Sequence, residues 1–219
     1  MPRKTSTTAT LPAATRVVLV RHGQTSTTGQ LLPGRAPGLH LADLGVSQAE
    51  RAGQRLTTAG AIAALYTSPL ERTRETAGRI GAAIGLRPKV ARGLLECDFG
   101  DWTGRKLNEL RKLAEWSTVQ HAPSSFRFPN GESFIEMQLR MVRQIERLVA
   151  AHPGETIVCV SHADPIKAAV AHAQGVHLDL FQRTVISPCS ITPLLYTSGG
   201  PVVLAVNSTG DDLSSLVPS

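Results

Sequence analysis

The sequence predicts an α/β fold with a mainly parallel central sheet and helices on both faces. Apolar runs rich in Val, Ile and Leu alternate along the chain with amphipathic helical stretches, which is typical of βαβ units. Two of these runs, residues 17–20 and 158–160, are each followed within two positions by a histidine. A continuous apolar run is typical of a buried parallel strand, and ligands bind at the carboxyl ends of such strands. The pattern therefore predicts both the sheet and the edge at which a ligand binds.

In the first half of the chain, hydrophobic spacing and turn residues predict two strand–helix units. The first strand is expected over residues 16–20 and the first helix over residues 45–59, with Ala49, Ala52 and Leu56 on one side. The other elements predicted here are a strand over residues 61–66, a helix that Pro69 begins and that continues over residues 70–84, and an extended edge segment over residues 89–95.

The second half begins with the longest predicted helix, over residues 131–151. Its apolar residues recur at three- and four-residue intervals, the spacing of a core-facing helix side. They are Phe134, Met137, Met141, Ile145 and Leu148. The elements that follow are a central strand over residues 156–160, a helix from Pro165 to about residue 174, and a terminal pair of strands over residues 191–196 and 202–206.

A length of 219 residues and a hydrophobic content of 42% favour one compact domain. We expect a flexible tail over residues 1–15, the folded domain over residues 16–212 and a short tail over residues 213–219. The Thr/Ala/Pro-rich start lacks the apolar centre of a signal peptide, and no apolar run is long enough to span a membrane. Three scattered cysteines favour free thiols and a cytoplasmic location over a disulfide framework.

The chain is basic, with a net charge of +6 and a pI near 9.7. We expect no nucleic-acid partner, because the basic residues are spread along helices, as at Arg140, Arg143 and Arg147, and are not interleaved with aromatics. Five Phe, two Trp and two Tyr are too few for a base-stacking platform. A mildly positive field instead raises the local concentration of an anionic substrate.

Four short segments carry the functional motifs. In chain order they read RHGQT (residues 21–25), SPLERTRETA (68–77), LECDFGDWTG (95–104) and SHAD (161–164). In this order and spacing they resemble the histidine phosphatase superfamily, also called the phosphoglycerate mutase-like family. The resemblance extends from residue 16 to about residue 212, so that the folded domain is expected to be the catalytic domain. It implies a three-layer αβα sandwich and a chemistry that uses no metal.

Two arginines and two histidines form the predicted catalytic centre. Arg21 and Arg72 are expected to neutralise phosphoryl oxygens, because guanidinium groups stay charged and bind oxygens in a bidentate fork. Arg72 lies in the first turn of a predicted helix, where backbone N–H groups add positive potential. His22 is the candidate nucleophile, since a neutral imidazole can attack phosphorus and hold it as phosphohistidine. The resemblance places His162 beside His22, against the transferring phosphoryl oxygens.

Glu96 is the candidate proton donor for the leaving oxygen, because it fits the acid position of the family motif. A carboxyl group can supply this proton if burial raises its pKa. Asp98 is the competitor, since it lies two residues on and could face the same side of an extended loop. Asp164 is interpreted as a helix cap and Arg74 as a solvent-facing charge.

A further set of residues is expected to bind the substrate around the phosphate loop. The set consists of Gln24, Thr25, Thr28, Arg35 and Ala163. The family commonly carries an asparagine near the position of Thr28, and its absence here weakens the transfer of that asparagine's contact to this chain. Arg35 lies in a Pro/Gly-rich loop and is either a substrate contact or a solvated charge. Specificity is expected to come from residues 105–129 and from the loop at residues 32–40.

Together these residues predict a phosphoric monoester hydrolase that acts on a small phosphorylated metabolite through a phosphohistidine intermediate. The alternatives are a phosphoglycerate mutase-type phosphomutase and a catalytically silent phosphate-binding protein. Mutases of the family typically carry a longer insertion after the Glu motif, whereas Glu96 and Glu132 are 36 positions apart here, which favours an open site and hydrolysis. No cofactor is predicted, and the seven histidines show none of the usual metal-ligand spacings.

Overall fold

The computed structural model describes residues 14–210, and a six-stranded sheet forms its middle layer. The strands are β1 (Thr15–Arg21), β2 (Ala64–Thr67), β3 (Lys89–Val90), β4 (Thr156–Ser161), β5 (Ile191–Thr197) and β6 (Gly200–Val203). Their order is β3-β2-β4-β1-β5-β6; the first four are parallel to one another, and β5 and β6 are antiparallel to their neighbours. The predicted, mainly parallel sheet is confirmed, with its terminal pair of strands.

Helices cover both faces of this sheet. They are α1 (Asp43–Leu56), α2 (Glu71–Ile84), α3 (Leu107–Leu110), α4 (Glu115–His121), α5 (Phe134–Ala151) and α6 (Ala163–Ala173). α1 and α2 pack on the face that carries Val18 and Val158, whereas α5 and α6 pack on the face that carries Leu19 and Ile157. Successive strand residues point to opposite faces, so the continuous apolar runs supply both cores. The predicted three-layer αβα sandwich is confirmed.

A third apolar cluster joins the segment over residues 97–128 to α5 and α6. This segment contains α3, α4 and the 3₁₀ turns Gly100–Trp102 and Pro123–Ser125. Aromatic rings in contact with one another form much of the cluster: Phe99, Trp102, Phe126, Phe128, Phe134 and Phe181. The sequence predicts no elements here, because helices this short show no periodic pattern.

Several predicted boundaries are shifted. α1 starts two residues earlier and ends three residues earlier than expected. α2 begins at Glu71 with Leu70 as its N-cap, so Pro69 precedes the helix and does not begin it. The expected extended segment over residues 89–95 contains only the two-residue strand β3, followed by a 3₁₀ turn at Arg92–Leu94.

The start of α6 also corrects a sequence interpretation. The helix begins at Ala163, two residues before Pro165, and its N-cap is His162. Asp164 therefore lies in the first turn and is not the cap. A carboxylate in the first turn is stabilised by the positive end of the helix dipole, which explains why an acidic residue suits this position.

The described residues include the last two positions of the predicted amino-terminal tail, 14 and 15. Thr15 is buried in β1, and its hydroxyl donates to the carbonyl of His152 at 2.7 Å. The tail over residues 1–13 lies outside the described residues, as do the predicted domain end at residue 212 and the tail over residues 213–219. Between residues 14 and 210, no helix has the length and apolar composition to cross a membrane.

Candidate active site

Two histidines meet at one edge of the sheet because β1 and β4 are neighbours in parallel register. Arg21 pairs with Ser161 at the ends of these strands, so that a histidine follows each strand at the same level. The backbone N–H of His22 donates to the Ser161 carbonyl at 3.0 Å. The ring centroids of His22 and His162 are 5.2 Å apart.

The His22 ring is held in one tautomer. Its Nδ1 lies 2.7 Å from the Gly23 carbonyl oxygen, which can only accept, so Nδ1 carries the proton and Nε2 the lone pair. Arg72 Nε donates to this Nε2 at 3.3 Å. Burial, together with the charges of Arg21 and Arg72, holds the pKa of His22 well below its usual range. The imidazole is therefore neutral, as a nitrogen nucleophile must be.

Both predicted arginines lie beside His22 with part of their guanidinium groups unpaired. Arg72 is completely buried; its Nη2 donates to the Gly34 carbonyl at 2.8 Å, and its Nη1 has no hydrogen-bond partner among the described residues. Arg21 Nη1 donates to the Ile186 carbonyl at 2.6 Å, whereas its buried Nε has no partner in the same part of the chain. Arg74, two residues after Arg72 on α2, is exposed, as expected.

His162 is completely buried between these groups. Its Nε2 lies 2.9 Å from the Ser68 hydroxyl. Its Nδ1 lies 4.0 Å from Glu96 Oε2 and, within residues 14–210, has no hydrogen-bond partner. Burial, reinforced by nearby cations of which Arg72 is the strongest, holds the pKa of His162 well below its usual range. This second imidazole is therefore also neutral.

Unpaired buried polar atoms concentrate at this site. Across residues 14–210, four buried side-chain nitrogen or oxygen atoms lack a hydrogen-bond partner, and they belong to Arg21, Arg72, His162 and Ser190. An unpaired buried polar group costs about 1–3 kcal/mol, and a charged group costs more. Three of the four atoms belong to the neighbours of His22. An anion with several oxygen acceptors is the kind of ligand that pairs all three.

Glu96 and Asp98 are two residues apart but have different surroundings. Glu96 is buried, and burial, reinforced by the charge of Asp164, raises its pKa to about 7. The Asp98 side chain is 43% exposed and accepts from Arg35 Nη1 at 3.3 Å. Glu96 thus combines proximity to His162 with a proton that is still bound near neutral pH. This difference favours Glu96 over Asp98 as the proton donor.

The backbone that carries Glu96 is held by Arg140 on α5. The Arg140 guanidinium donates to the carbonyls of Gly93, Leu95 and Glu96 at 2.8, 2.9 and 3.2 Å. It also donates to both carboxylate oxygens of Glu132, at 2.8 and 2.9 Å. Charge-assisted and bidentate bonds of this kind are the stronger class of protein hydrogen bonds, so Arg140 fixes residues 93–96 against α5.

Arg35 completes this arrangement from the other side. Its Nε donates to the Glu96 carbonyl at 2.9 Å, and its Nη2 donates to Glu132 Oε2 at 2.9 Å. Arg35, Glu132 and Arg140 thus form a network, here called the loop clamp. Arg35 is therefore not a solvated charge, and its contact with a substrate stays a prediction.

The other predicted binding residues follow β1 and His162. Thr25 is buried, and its N–H donates to the Thr28 hydroxyl at 2.9 Å, so Thr28 stabilises this turn. The N–H of Gln24 donates to the Gln48 side-chain oxygen at 2.9 Å and joins the loop to α1. Ala163 is the first residue of α6. Contacts of these residues with a substrate stay predictions.

Gly23 and Gly45 allow the loop after β1 to pack directly on α1. A Cβ on Gly23 would lie 2.4 Å from the Gly45 carbonyl oxygen, and a Cβ on Gly45 would lie 2.0 Å from the Gln24 carbonyl oxygen. Both distances are overlaps. Gly23 is therefore needed for a contact between two backbones.

Sequence reasoning did not identify Ser68, Glu132 and Arg140 as residues of this site. Ser68 lies inside one of the four motifs, which was a sufficient signal. Glu132 immediately precedes a capping box, in which Ser133 and Glu136 satisfy each other's backbone N–H groups. Arg140 carries no local signal, because in the sequence it is one of several arginines on a long helix.

No cluster of three or more His, Cys, Asp or Glu side chains that could hold a metal ion occurs in the part of the chain from residue 14 to 210. The positive charge at the site comes from Arg21 and Arg72. Metal-independent chemistry stays a prediction.

Comparison with known proteins assigns the family. The model of the histidine phosphatase superfamily (branch 1) matches residues 17–209, which include all four motifs. The chain belongs to the histidine phosphatase superfamily. The predicted resemblance is confirmed. Two of the four motifs, at residues 21–25 and 161–164, lie at the edge of the sheet where His22 and His162 meet.

Relatives of this histidine phosphatase chain differ in length. A Mycobacterium tuberculosis protein described as bifunctional is 35% identical over 210 residues; the chain spans 54%, or about half, of that relative, which covers 90% of the chain. Phosphoserine phosphatase 1 of Hydrogenobacter thermophilus is 28% identical over 199 residues, covering 89% of this chain and 92% of the relative. A solved phosphoserine phosphatase mutant from Entamoeba histolytica, in complex with phosphoserine, is 25% identical with a TM-score of 0.80, covering 89% of this chain and 98% of that one.

Proposed function

We propose that this chain hydrolyses phosphoric monoesters of small metabolites through a phosphohistidine at His22. The observation that carries the proposal is the set of buried, unpaired atoms on Arg21, Arg72 and His162 around His22. Two fixed cations and an imidazole suit the non-bridging oxygens of a phosphoryl group, whose charge they stabilise without reorganising. Membership of the histidine phosphatase superfamily supports the same reaction.

In the first step, the lone pair on His22 Nε2 attacks phosphorus. The Nε2–P bond forms as the P–O bond to the leaving group breaks, and Glu96 gives its proton to the leaving oxygen. A pKa near 7 keeps a large fraction of Glu96 protonated at neutral pH. Arg21 and Arg72 hold the phosphoryl oxygens during the transfer.

In the second step, Glu96 is a carboxylate and accepts a proton from water. The water oxygen attacks phosphorus, the Nε2–P bond breaks, and inorganic phosphate leaves. His22 is again neutral and Glu96 is again protonated, so both groups are ready for another turnover. Splitting one displacement into two in this way is the usual advantage of covalent catalysis.

Hydrolysis is favoured over phosphomutase activity by the short cover after the Glu motif, since Glu96 and Glu132 are only 36 positions apart. A phosphomutase must keep water away from the phosphoenzyme until the second transfer. The phosphoserine phosphatases among the relatives support a substrate of similar size, a small molecule with one phosphate ester. Assays of inorganic phosphate release, run beside assays of transfer between two hydroxyls, distinguish the two activities.

A rapid quench that avoids acid tests the covalent step. During turnover of a radiolabelled phosphomonoester, we expect acid-labile, base-stable label on the peptide that contains His22. His22→Ala should abolish the label and the activity together. His121→Ala, at an exposed histidine of α4, is the matched control and should leave both unchanged. Label on Ser161, Thr25 or a cysteine would contradict the assignment.

We also propose that the chain works in the cytoplasm. Cys97, Cys159 and Cys189 are buried free thiols, and burial raises the pKa of each. Free thiols are typical of a reducing compartment. Fractionation of cells that carry the native gene, with a tag-free antibody readout, tests this location; recovery outside the cytosolic fraction would contradict it.

A further inference from the structure

Five arginines line one cavity on the side of the molecule. Arg140, Arg143 and Arg147 follow one another at intervals of three and four residues, so they lie on the same side of α5. With Arg35 and Arg92 they line a cavity of about 440 Å³, here called the arginine groove. The fold thus adds Arg35 and Arg92, from distant positions in the chain, to the arginines spread along this helix, and none of the described groove residues is aromatic.

Carboxylates do not balance this charge. Among the described residues that line the arginine groove, Glu132 is the one acid, and Arg35 and Arg140 already pair with its oxygens. Arg92, Arg143 and Arg147 are exposed, and within residues 14–210 no carboxylate lies at ion-pair distance from any of them.

The spacing of two of these arginines on α5 adds to this imbalance. Like charges four residues apart on a helix, as at Arg143 and Arg147, destabilise it. An anion in the groove removes that repulsion.

We propose that the arginine groove binds a small polyanion with two or more phosphate groups, at a site separate from the catalytic pocket. Arg92, Arg143 and Arg147 together carry three positive charges without a paired carboxylate among the described residues, which exceeds the charge of one phosphate group and is closer to that of a linked pair. Guanidinium groups bind phosphate oxygens in a bidentate fork, and the volume suits a small molecule.

The segment over residues 93–96 contributes different residues to the two sites. Gly93 and Leu95 line the arginine groove, whereas the Glu96 carboxylate lies next to His162. His22, Glu96, His162, Arg21 and Arg72 do not line the groove, whereas Arg35, a predicted substrate-binding residue, does. The polyanion site therefore stands independently of the proposed hydrolase activity, and each can fail without the other.

Calorimetric titration with tripolyphosphate tests the proposal. The titration uses the His22→Ala chain, so that the probe is not consumed. Two binding events per chain are expected, one in the arginine groove and one in the catalytic pocket. Adding Arg143→Ala and Arg147→Ala should weaken one event by roughly tenfold or more and leave the other. Adding Arg72→Ala instead should weaken the other event only. Both affinities should fall as salt is raised.

The matched control removes two arginines in and after α2, Arg79 and Arg87, which changes the net charge equally. This control should retain both events. An unchanged titration in the Arg143→Ala/Arg147→Ala chain, or an equal loss in the control, would overturn the proposal. Hydrolysis of p-nitrophenyl phosphate by an Arg143→Ala/Arg147→Ala chain with His22 intact should match that of the unmodified chain, which shows that the catalytic pocket is still folded.

Discussion

Arg72 is completely buried, and no carboxylate in the part of the chain from residue 14 to 210 lies at ion-pair distance from its guanidinium. Its bonds go to the Gly34 carbonyl and to His22 Nε2, both neutral acceptors. A buried cation without a countercharge is costly, and proteins retain such groups where a ligand supplies the charge. The same reasoning applies to the unpaired Nε of Arg21.

Arg72→Ala should therefore remove anion binding. Vanadate is expected to raise the Tm of the unmodified chain, because a ligand that binds only the folded state stabilises it. The Arg72→Ala chain should show little or no rise. Arg74→Ala, at the exposed arginine two residues on, is the matched control and should keep the full rise. If Arg72→Ala binds vanadate as well as the control does, the phosphate site has been assigned to the wrong residues.

The ionisation of Glu96 should determine how the rate of phosphoenzyme formation falls at alkaline pH. A proton donor works in its protonated form, so phosphoenzyme formation from an alkyl phosphate should fall as the pH rises through about 7. Glu96→Gln should remove this dependence and slow the step on the order of 10²–10⁴-fold. The loss should be much smaller for p-nitrophenyl phosphate, whose leaving group needs no proton.

Pre-steady-state rates are the measurement, because the proposed mechanism also uses Glu96 in the second step. Asp98→Asn is the control and should keep both the rate and the pH dependence for the alkyl ester. Equal losses for the two esters in Glu96→Gln would exclude Glu96 as the acid, and a large, ester-dependent loss in Asp98→Asn would identify Asp98 in its place.

At the scale of elements, the segment over residues 92–96 depends on α5. This segment has one 3₁₀ turn, Arg92–Leu94, and few hydrogen bonds of its own. Arg140 donates hydrogen bonds to three carbonyls of this segment, and the Gln144 side-chain oxygen accepts from the Gly93 N–H at 3.2 Å. The position of Glu96 is thus set by a helix that starts almost forty residues later in the chain.

Arg140→Lys should disturb catalysis through Glu96 without removing charge. A lysine ammonium is a point charge with no planar fork, so it cannot hold three carbonyls and a carboxylate together. We expect kcat for an alkyl phosphate to fall roughly tenfold or more, with little change in KM, and the alkaline pH dependence to shift. Arg143→Lys, one turn along the same helix, should change none of these. A purely structural role would lower Tm and leave the pH profile in place.

At the scale of the whole molecule, ionisable groups that are held in their neutral forms lie together at one edge of the sheet. Their shifted pKa values make the free energy of unfolding depend on pH. The pKa values of His22 and His162 are lowered in the folded state, so the unfolded chain binds more protons below about pH 6.5 and stability falls as the pH drops. The pKa of Glu96 is raised from 4.5 to about 7, so the folded chain binds the extra proton. For Glu96, stability therefore falls as the pH rises from about 4.5 through 7.

Glu96→Gln should isolate this last contribution. The difference in unfolding free energy between Glu96→Gln and the unmodified chain should move in favour of the glutamine chain as the pH is raised from 5 to 8. The reason is that the glutamine side chain never ionises, whereas the buried carboxyl must. Urea unfolding at a series of pH values is the measurement. A difference that stays constant over this range would contradict a raised pKa for Glu96.

The sequence by itself determined the sandwich and the placement of the motifs. β1, β4 and α5 follow from short-range patterns. A continuous apolar run predicts a strand buried on both faces, and an apolar stripe at helical spacing predicts a helix buried on one side. The resemblance to the family, which rests on the four motifs, is what places His162 beside His22, and the structure then shows that β1 and β4 are neighbours. Some errors are shifted boundaries, such as the start of α2, where the energy differences between neighbouring residues are small. Others are the segment over residues 89–95, which is mostly not extended, and the short helices α3 and α4, which show no periodic pattern.

Only the tertiary structure shows that Glu96 is buried and Asp98 is partly exposed, because two residues of one loop can differ in burial without differing in local pattern. The same holds for the loop clamp, whose members are 97 and 8 positions apart, and for the arginine groove. The partners of a long polar side chain are set by which elements pack together. That packing depends on contacts across the whole core, and no short stretch of sequence contains it.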